Sequence, residues 1–357
     1  MINILLKKFY TFLCILISYI CSPKYKVFNE LFNFFATKSS DSLYFINYRY
    51  KNKIIHYLRR KSLIHEKNLV EKYKSIEVDK NINLVLNDLK NEGISEKISI
   101  EIKKDEIDNL IKYLENSNFY SSHVPNKSTK QIPGTKIEGA YKSYDYATQL
   151  NNQTIIKLCT NEKIVKIAEQ YLGTFPKIYS INTFNTFPGK KAFTHEFHRD
   201  IDNLKWVVVF IYWTKTSPND GAFEQIRFTH RPSESLNNLL KKNPKKFSNN
   251  FDTFFKKTVP GYGQNKEYEN IFNSEIINVY GEPGKIVASD TLGLHRGTHV
   301  DNERIVTWIR YGVTQSRQKV LKYDETIEKK IKLKDENMNI LNNSKFKDVL
   351  SDIVELD

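Results

Sequence analysis

The chain has 357 residues, with 55 Lys and Arg against 41 Asp and Glu, a formal charge of +14. That length accommodates one large domain with extensions or two modest domains. A content of 40% hydrophobic and 13% aromatic residues excludes a disordered chain, and only three cysteines (Cys14, Cys21, Cys159) exclude a disulfide scaffold or a cysteine-based zinc ribbon.

Near the N-terminus, Lys7 and Lys8 precede an apolar run, Phe9 to Cys21, closed by Ser22-Pro23. The run is shorter than the ~18 residues that spanning a bilayer requires, and no small-x-small cleavage site follows it. It predicts a buried helix, an interfacial anchor or an uncleaved signal. From Arg49 to Lys74 nine basic residues face two acids, Glu66 and Glu71, while Ile54, Ile55, Leu58, Leu63, Ile64, Leu69 and Val70 recur at helical intervals. Such a helix either lies on anionic lipid or packs on its own domain. It lacks the interleaved aromatics of a nucleic-acid stacking platform, so no nucleic-acid partner is expected. Residues 1–74 are therefore the candidate for peripheral membrane contact.

Residues 1–118 read as a hydrophobic and basic helical region with a strand-like patch at Ile98 to Ile102. Residues 119–159 read as a polar, irregular segment suited to a substrate lid. At Thr160 the pattern changes. Ile164, Ile167, Ala168 and Tyr171 share one helical face, with Thr160 or Asn161 as N-cap and Gly173 as the C-terminal stop. Beyond Gly173 the period becomes two. The expected strands are 177–187, 206–213, 223–229, 275–280, 285–289 and 304–313, separated by Pro/Gly/Asn/Asp turns. This pattern predicts an antiparallel sandwich or barrel over 160–313, interrupted by a polar, partly helical insertion at 231–274. Residues 314–357 read as a charged helical tail, with Ile327, Ile331 and Leu341 as its apolar positions. There is no GxGxxG and no GxxxxGK[ST] phosphate loop.

Five of the eight histidines lie in the strand-rich half: His195, His198, His230, His295 and His299. On an extended chain His198 and Asp200 project to the same side, so they present a nitrogen and a carboxylate oxygen to one point. A third ligand from a distant strand completes a 2-His-1-carboxylate triad, which leaves positions open on an octahedral Fe(II). Alone, a His-x-Asp is equally a structural pair. Downstream, Pro283-Gly284 launches a short apolar strand and His295 begins the return path; nine residues later Arg304 opens another strand. A hairpin of that length places Arg304 beside His295, where its guanidinium can fork onto a carboxylate near the metal. Three other features carry weaker expectations. His195, at an odd offset from His198, is expected to face away; His230 and Arg231 are expected to end a strand at the surface. Arg199, Arg296 and Lys215 are basic groups that can meet an anionic substrate, and Asn182 or Asn185 can point into the barrel.

The stretch from about Asn161 to Val313, somewhat under half of the chain, resembles the phytanoyl-CoA dioxygenase-like family of Fe(II)/2-oxoglutarate-dependent oxygenases. The resemblance rests on the helix at 161–172, on FHRD at 197–200, on VVVFIYWT followed by NDGAFEQIRFTHR, and on PGKIVASDTLGLHRGTHVDNER at 283–304. It implies a double-stranded β-helix (jelly roll), an all-β core with flanking α-helices, α+β overall. Further implications are iron held by His198, Asp200 and His295, 2-oxoglutarate anchored by Arg304, and Trp213 near the cosubstrate. Arg310, on the same strand face as Arg304 but roughly 20 Å further along, is the less favoured alternative anchor. With O2, such a site releases succinate and CO2 and oxidises a small organic or lipid-like substrate, and a carboxylate ligand at Asp200 favours hydroxylation over halogenation. Two departures are Phe228-Thr229-His230, where the family has a Gly-Ser-His-like ending, and Gly297 where some members carry a hydroxyl residue. The need for reduced iron and 2-oxoglutarate places the site in the cytoplasm, at most on the inner face of a membrane. The competing expectations are a non-catalytic jelly-roll metal- or ligand-binding protein, or a peripheral membrane protein located by its basic N-terminal region.

Overall fold

The computed structural model describes residues 79–122, 128–137, 139–173, 175–189, 193–200, 205–231, 233–243, 265–312 and 330–356. The apolar run Phe9 to Cys21, the basic run 49–74, the centre of the 231–274 insertion and Ile327 lie outside them. Among the described residues no helix is long and apolar enough to cross a membrane.

Each segment expected to be a strand after Gly173 forms one. The strands in chain order are β1 (Ile94–Ser95), β2 (Phe119–Tyr120), β3 (Lys130–Gln131), β4 (Tyr141–Ser143), β5 (Lys177–Thr186), β6 (Trp206–Tyr212), β7 (Phe223–Ile226), β8 (Ile276–Val279), β9 (Ile286–Ser289), β10 (His295–Gly297) and β11 (Arg304–Gly312). They make an eight-stranded sheet ordered β1-β9-β6-β11-β5-β4-β2-β3 and a three-stranded sheet ordered β10-β7-β8, and all pairings are antiparallel. A single bridge between His198 and His295 adds a further rung to the edge of the smaller sheet. From β6 onward the chain crosses between the two sheets, into the smaller one for β7 and β8, back for β9, across for β10 and back for β11, as in a double-stranded β-helix.

The helices are α1 (Lys80–Asn91), α2 (Lys104–Glu115), α3 (Tyr146–Leu150), α4 (Gln153–Cys159), α5 (Glu162–Leu172), α6 (Glu234–Lys241), α7 (Asn265–Phe272) and α8 (Asp335–Asn343). Helix α5 begins where Asn161 Oδ1 accepts the Lys163 and Ile164 amides, and it stops at Gly173, whose φ of 75° only glycine adopts without strain. Its buried Ile164, Ile167 and Ala168 pack in one cluster with α1, α2, α4 and the C-terminal segment around Val349 and Ile353.

Period-two alternation divides the central strands between two cores. Ile181, Val209, Ile211, Ile305 and Ile309 face outward into the helix-covered cluster. Phe184, Val208, Tyr212, Val306 and Trp308 face inward, toward the smaller sheet. Because both faces are covered, β5 and β11 are buried along their whole length.

Two expectations for the chain before residue 160 are corrected. Residues Ile98 to Ile102 alternate in burial, but they pair with no strand; the strand there is β1, two residues long and hydrogen-bonded to β9. The segment expected to be irregular contributes β2, β3 and β4, which extend the large sheet from β5, and helices α3 and α4. Strands of two or three residues are too short for a period to register in sequence. The barrel also binds its N-terminal helix tightly. The Gly93 carbonyl accepts from Asp290 N at 2.8 Å and from Gln225 Nε2 at 3.1 Å.

Candidate metal centre

His198 and Asp200 sit on the extended segment that follows a 3₁₀ turn at Phe193–His195, and His295 opens β10. The backbones of His198 and His295 exchange two hydrogen bonds, 2.9 and 3.0 Å long, which fixes their side chains next to one another. One potential ligand atom from each of His198, Asp200 and His295 lies within 4.8 Å of the others. Nε2 of His295 is 3.6 Å from Oδ2 of Asp200, and the two imidazole centroids are 4.3 Å apart.

In each ring Nδ1 faces a backbone carbonyl: Glu196 O at 2.7 Å for His198 and Gly293 O at 2.9 Å for His295. A carbonyl only accepts, so Nδ1 carries the proton and the Nε2 lone pair is turned toward the cluster. This is the arrangement that orients metal-ligating histidines. Burial, and then the neighbouring His295, lower the His198 pKa to about 4, so its imidazole is neutral at pH 7. Two imidazole nitrogens and a carboxylate oxygen form a donor set suited to Fe(II).

The same cavity contains Arg304, at the start of β11, facing His295 from the opposite sheet. This corrects the expected arrangement, in which a hairpin would set the two on neighbouring strands; β10 and β11 instead belong to different sheets. Arg304 is buried, donates through Nη1 to the Gly221 carbonyl, and lies beside the Tyr212 and Tyr141 phenols. Gly221 has φ 71°, and a Cβ there would stand 2.9 Å from Val300 and 3.3 Å from the Arg304 guanidinium carbon, so a glycine permits the arginine to seat. Nε of Arg304 is buried and makes no hydrogen bond among the described residues. Burial lowers its pKa, with the two phenols opposing that shift. A buried guanidinium with an unused donor suits an anionic ligand entering the cavity.

Trp213 lies elsewhere. It follows Tyr212, whose side chain lines the cavity, so alternation turns the indole to the outer face and into the helix-covered core. Its Nε1 donates to Thr307 Oγ1 at 2.7 Å. Trp213→Phe is expected to cost about 1–3 kcal/mol through the lost buried hydrogen bond, read as a lower denaturation midpoint.

His195 was expected to face away from the site, yet it lines the cavity. The 3₁₀ turn at its position breaks the strand period on which that expectation depends. Burial first, and then Arg304 and His299, lower its pKa to about 4, leaving a neutral ring at pH 7. His230 is buried against Lys90 and Gly93 instead of ending a strand at the surface. His299 is exposed and faces Asp301 at 3.3 Å. Arg199 is buried and donates to the Thr229 and Leu292 carbonyls; Lys215 is exposed, 3.2 Å from Glu282. Arg296 lines the cavity but is held by Glu224 at 2.7 Å and Glu269 at 2.8 Å. Neither asparagine of β5 lines the cavity. Phe228, where the resembled family has a glycine, adopts φ 65° in the left-handed region, the one non-glycine residue to do so among the described residues.

Of two further cavity residues, Tyr141 escaped the sequence reading and Arg310 entered it only as the less favoured alternative to Arg304. Tyr141 on β4 bonds Thr194 Oγ1 at 2.6 Å. Arg310, six residues beyond Arg304 on the same strand face, places Nη2 3.0 Å from Asp200 Oδ2. Asp200 is the one carboxylate among the described cavity residues, against Arg296, Arg304 and Arg310.

No protein-family model and no curated protein matches the sequence, and the phytanoyl-CoA dioxygenase-like resemblance has no matching family model behind it. Solved structures do match at low identity. The non-heme α-ketoglutarate-dependent carbocyclase SnoK from nogalamycin biosynthesis is 12% identical, with 72% of this chain and 96% of that chain covered and a TM-score of 0.43. EctD from S. alaskensis, solved with 2-oxoglutarate and 5-hydroxyectoine, is 14% identical over 66% of this chain and 78% of its own, also at 0.43. HygX from Streptomyces hygroscopicus, with nickel, 2-oxoglutarate and hygromycin B bound, is 12% identical over 66% and 87%, again at 0.43. At such identities and scores the likeness assigns no activity.

Proposed function

We propose that the chain is an Fe(II)- and 2-oxoglutarate-dependent oxygenase acting on a small organic molecule. The observation that carries the reading is the His198–Asp200–His295 cluster. Its imidazoles are pinned through Nδ1, and it shares one cavity with the buried Arg304. In this reading the three residues hold the metal, and Arg304, seated by Gly221 and flanked by Tyr141 and Tyr212, takes the distal carboxylate of 2-oxoglutarate. When bound, the metal and cosubstrate supply oxidative decarboxylation by O2 to succinate and CO2, coupled to oxidation of a C–H bond. Hydroxylation is the outcome the carboxylate ligand favours.

The chain's own residues bind and orient. Two faces of apolar side chains, Phe184, Phe210, Phe223 and Trp308 among them, line the remaining walls and limit water at the reacting centre. Of the three guanidiniums that line the cavity, Arg296 is held by Glu224 and Glu269 and Arg310 by Asp200. That leaves Arg304 as the group that supports a ligand with an acidic end, and 2-oxoglutarate has two. The test is incubation with Fe(II), ascorbate and 2-oxoglutarate in air. Slow, iron-dependent succinate formation is expected even without substrate. Its absence under those conditions, with no Fe(II) binding, contradicts the reading and leaves a non-catalytic ligand-binding barrel.

A further inference from the structure

We infer that Arg310 is a positioning residue for the carboxylate ligand, an inference that rests on the reading of His198, Asp200 and His295 as metal ligands. Strand β11 presents Arg304, Val306, Trp308 and Arg310 on its inward face, so two guanidiniums enter the cavity from opposite ends of one strand. Their settings differ. Arg304 bonds a backbone carbonyl and stands among phenols, whereas Arg310 Nη2 donates to Oδ2 of Asp200 at 3.0 Å. That same oxygen is 3.6 Å from Nε2 of His295, so it is the carboxylate oxygen turned toward the ligand cluster.

The guanidinium is itself held in place. It lies over the Trp308 ring, 4.3 Å from the centroid, and Arg310 pairs across the sheet with Ser180 and Val208 in two long, buried strands. The backbone of Asp200 is anchored by its amide to Thr291 O at 2.9 Å. Arg310 therefore reaches from the rigid sheet to the short loop segment of the other side and constrains the carboxylate torsion. A carboxylate oxygen has two acceptor directions, so one guanidinium N–H and one cation can share it. Orientation and charge pull in opposite senses, because a guanidinium also repels a dication. Orientation dominates here, since the arginine charge is engaged by the carboxylate while the ring stack fixes its direction.

The test measures Mn(II) binding to the full chain by loss of the free-ion EPR signal, with no cosubstrate and no turnover. Arg310→Leu is expected to raise the Mn(II) Kd about 10–100-fold, the usual penalty for losing an outer-shell partner. Arg310→Lys, which keeps a charged donor, is expected to recover part of that loss. The Co(II) visible spectrum of Arg310→Leu should shift relative to wild type, which a purely structural residue would not cause. Thermal unfolding monitors the fold, and Arg310→Gln, whose shorter side chain withdraws the donor from Asp200, carries the same prediction if the leucine variant does not fold. Equal or tighter Mn(II) binding by a folded Leu or Gln variant, with an unchanged Co(II) spectrum, overturns the inference while leaving the metal site standing. Failure of the wild-type chain to bind any divalent ion overturns the metal reading itself, and this inference with it.

Discussion

His198→Ala is expected to abolish Fe(II) binding at micromolar concentrations and, with it, all 2-oxoglutarate turnover. Outer-shell changes around metal sites cost roughly 10–100-fold in affinity, and removal of a ligand costs more. The remaining pair, Asp200 and His295, offers two donors to an ion that favours six. The fold should tolerate the change. His198 contributes its backbone, not its ring, to the bridge with His295, and an alanine amide and carbonyl make the same two hydrogen bonds. Loss of metal with an unchanged unfolding midpoint is the expected pair of results, read by Mn(II) titration and calorimetry. An unfolded variant would instead assign His198 a structural role, and metal binding equal to wild type would place the ion elsewhere.

Arg304→Leu separates cosubstrate from metal. Truncating one partner of a buried, hydrogen-bonded charge pair costs about 2–5 kcal/mol, so the 2-oxoglutarate Kd should rise at least about 30-fold while Fe(II) affinity stays within a few-fold of wild type. The Gly221 carbonyl also loses its donor, so some stability is lost as well. Binding of 2-oxoglutarate, measured anaerobically by calorimetry on the iron-loaded protein, distinguishes the two effects. Unchanged cosubstrate affinity would move the anchor to Arg310, the other guanidinium of β11 that lines the cavity.

Legibility in the sequence followed the length of each element. Strands β5, β6 and β11, seven to ten residues long, carry enough alternation to be read with their boundaries nearly intact. Strands β1 to β4 carry two or three residues each, too few to show a period, and β1 pairs with β9, which is distant in sequence. The spacing of His198 and Asp200 was legible because an extended chain fixes which side chains share a face. His195 was misplaced because a 3₁₀ turn, invisible to a period-two argument, precedes that extended segment. Trp213 was misplaced because a family resemblance outweighed the alternation that Tyr212 already implied. Arg310 was set aside for lying roughly 20 Å along the strand from Arg304. Distance along one strand does not reveal that a segment of the facing sheet brings Asp200 across to it.

The central claim is that His198, Asp200, His295 and Arg304 together hold Fe(II) and 2-oxoglutarate. Its most direct test is anaerobic addition of 2-oxoglutarate to the iron-loaded chain, followed by visible absorption. A weak charge-transfer band that saturates at one equivalent of each, persists at low 2-oxoglutarate in wild type, requires far more in Arg304→Leu and is absent in His198→Ala is the predicted result. A wild-type chain that binds Fe(II) but shows no band at any 2-oxoglutarate concentration, or an identical band in His198→Ala, would contradict it.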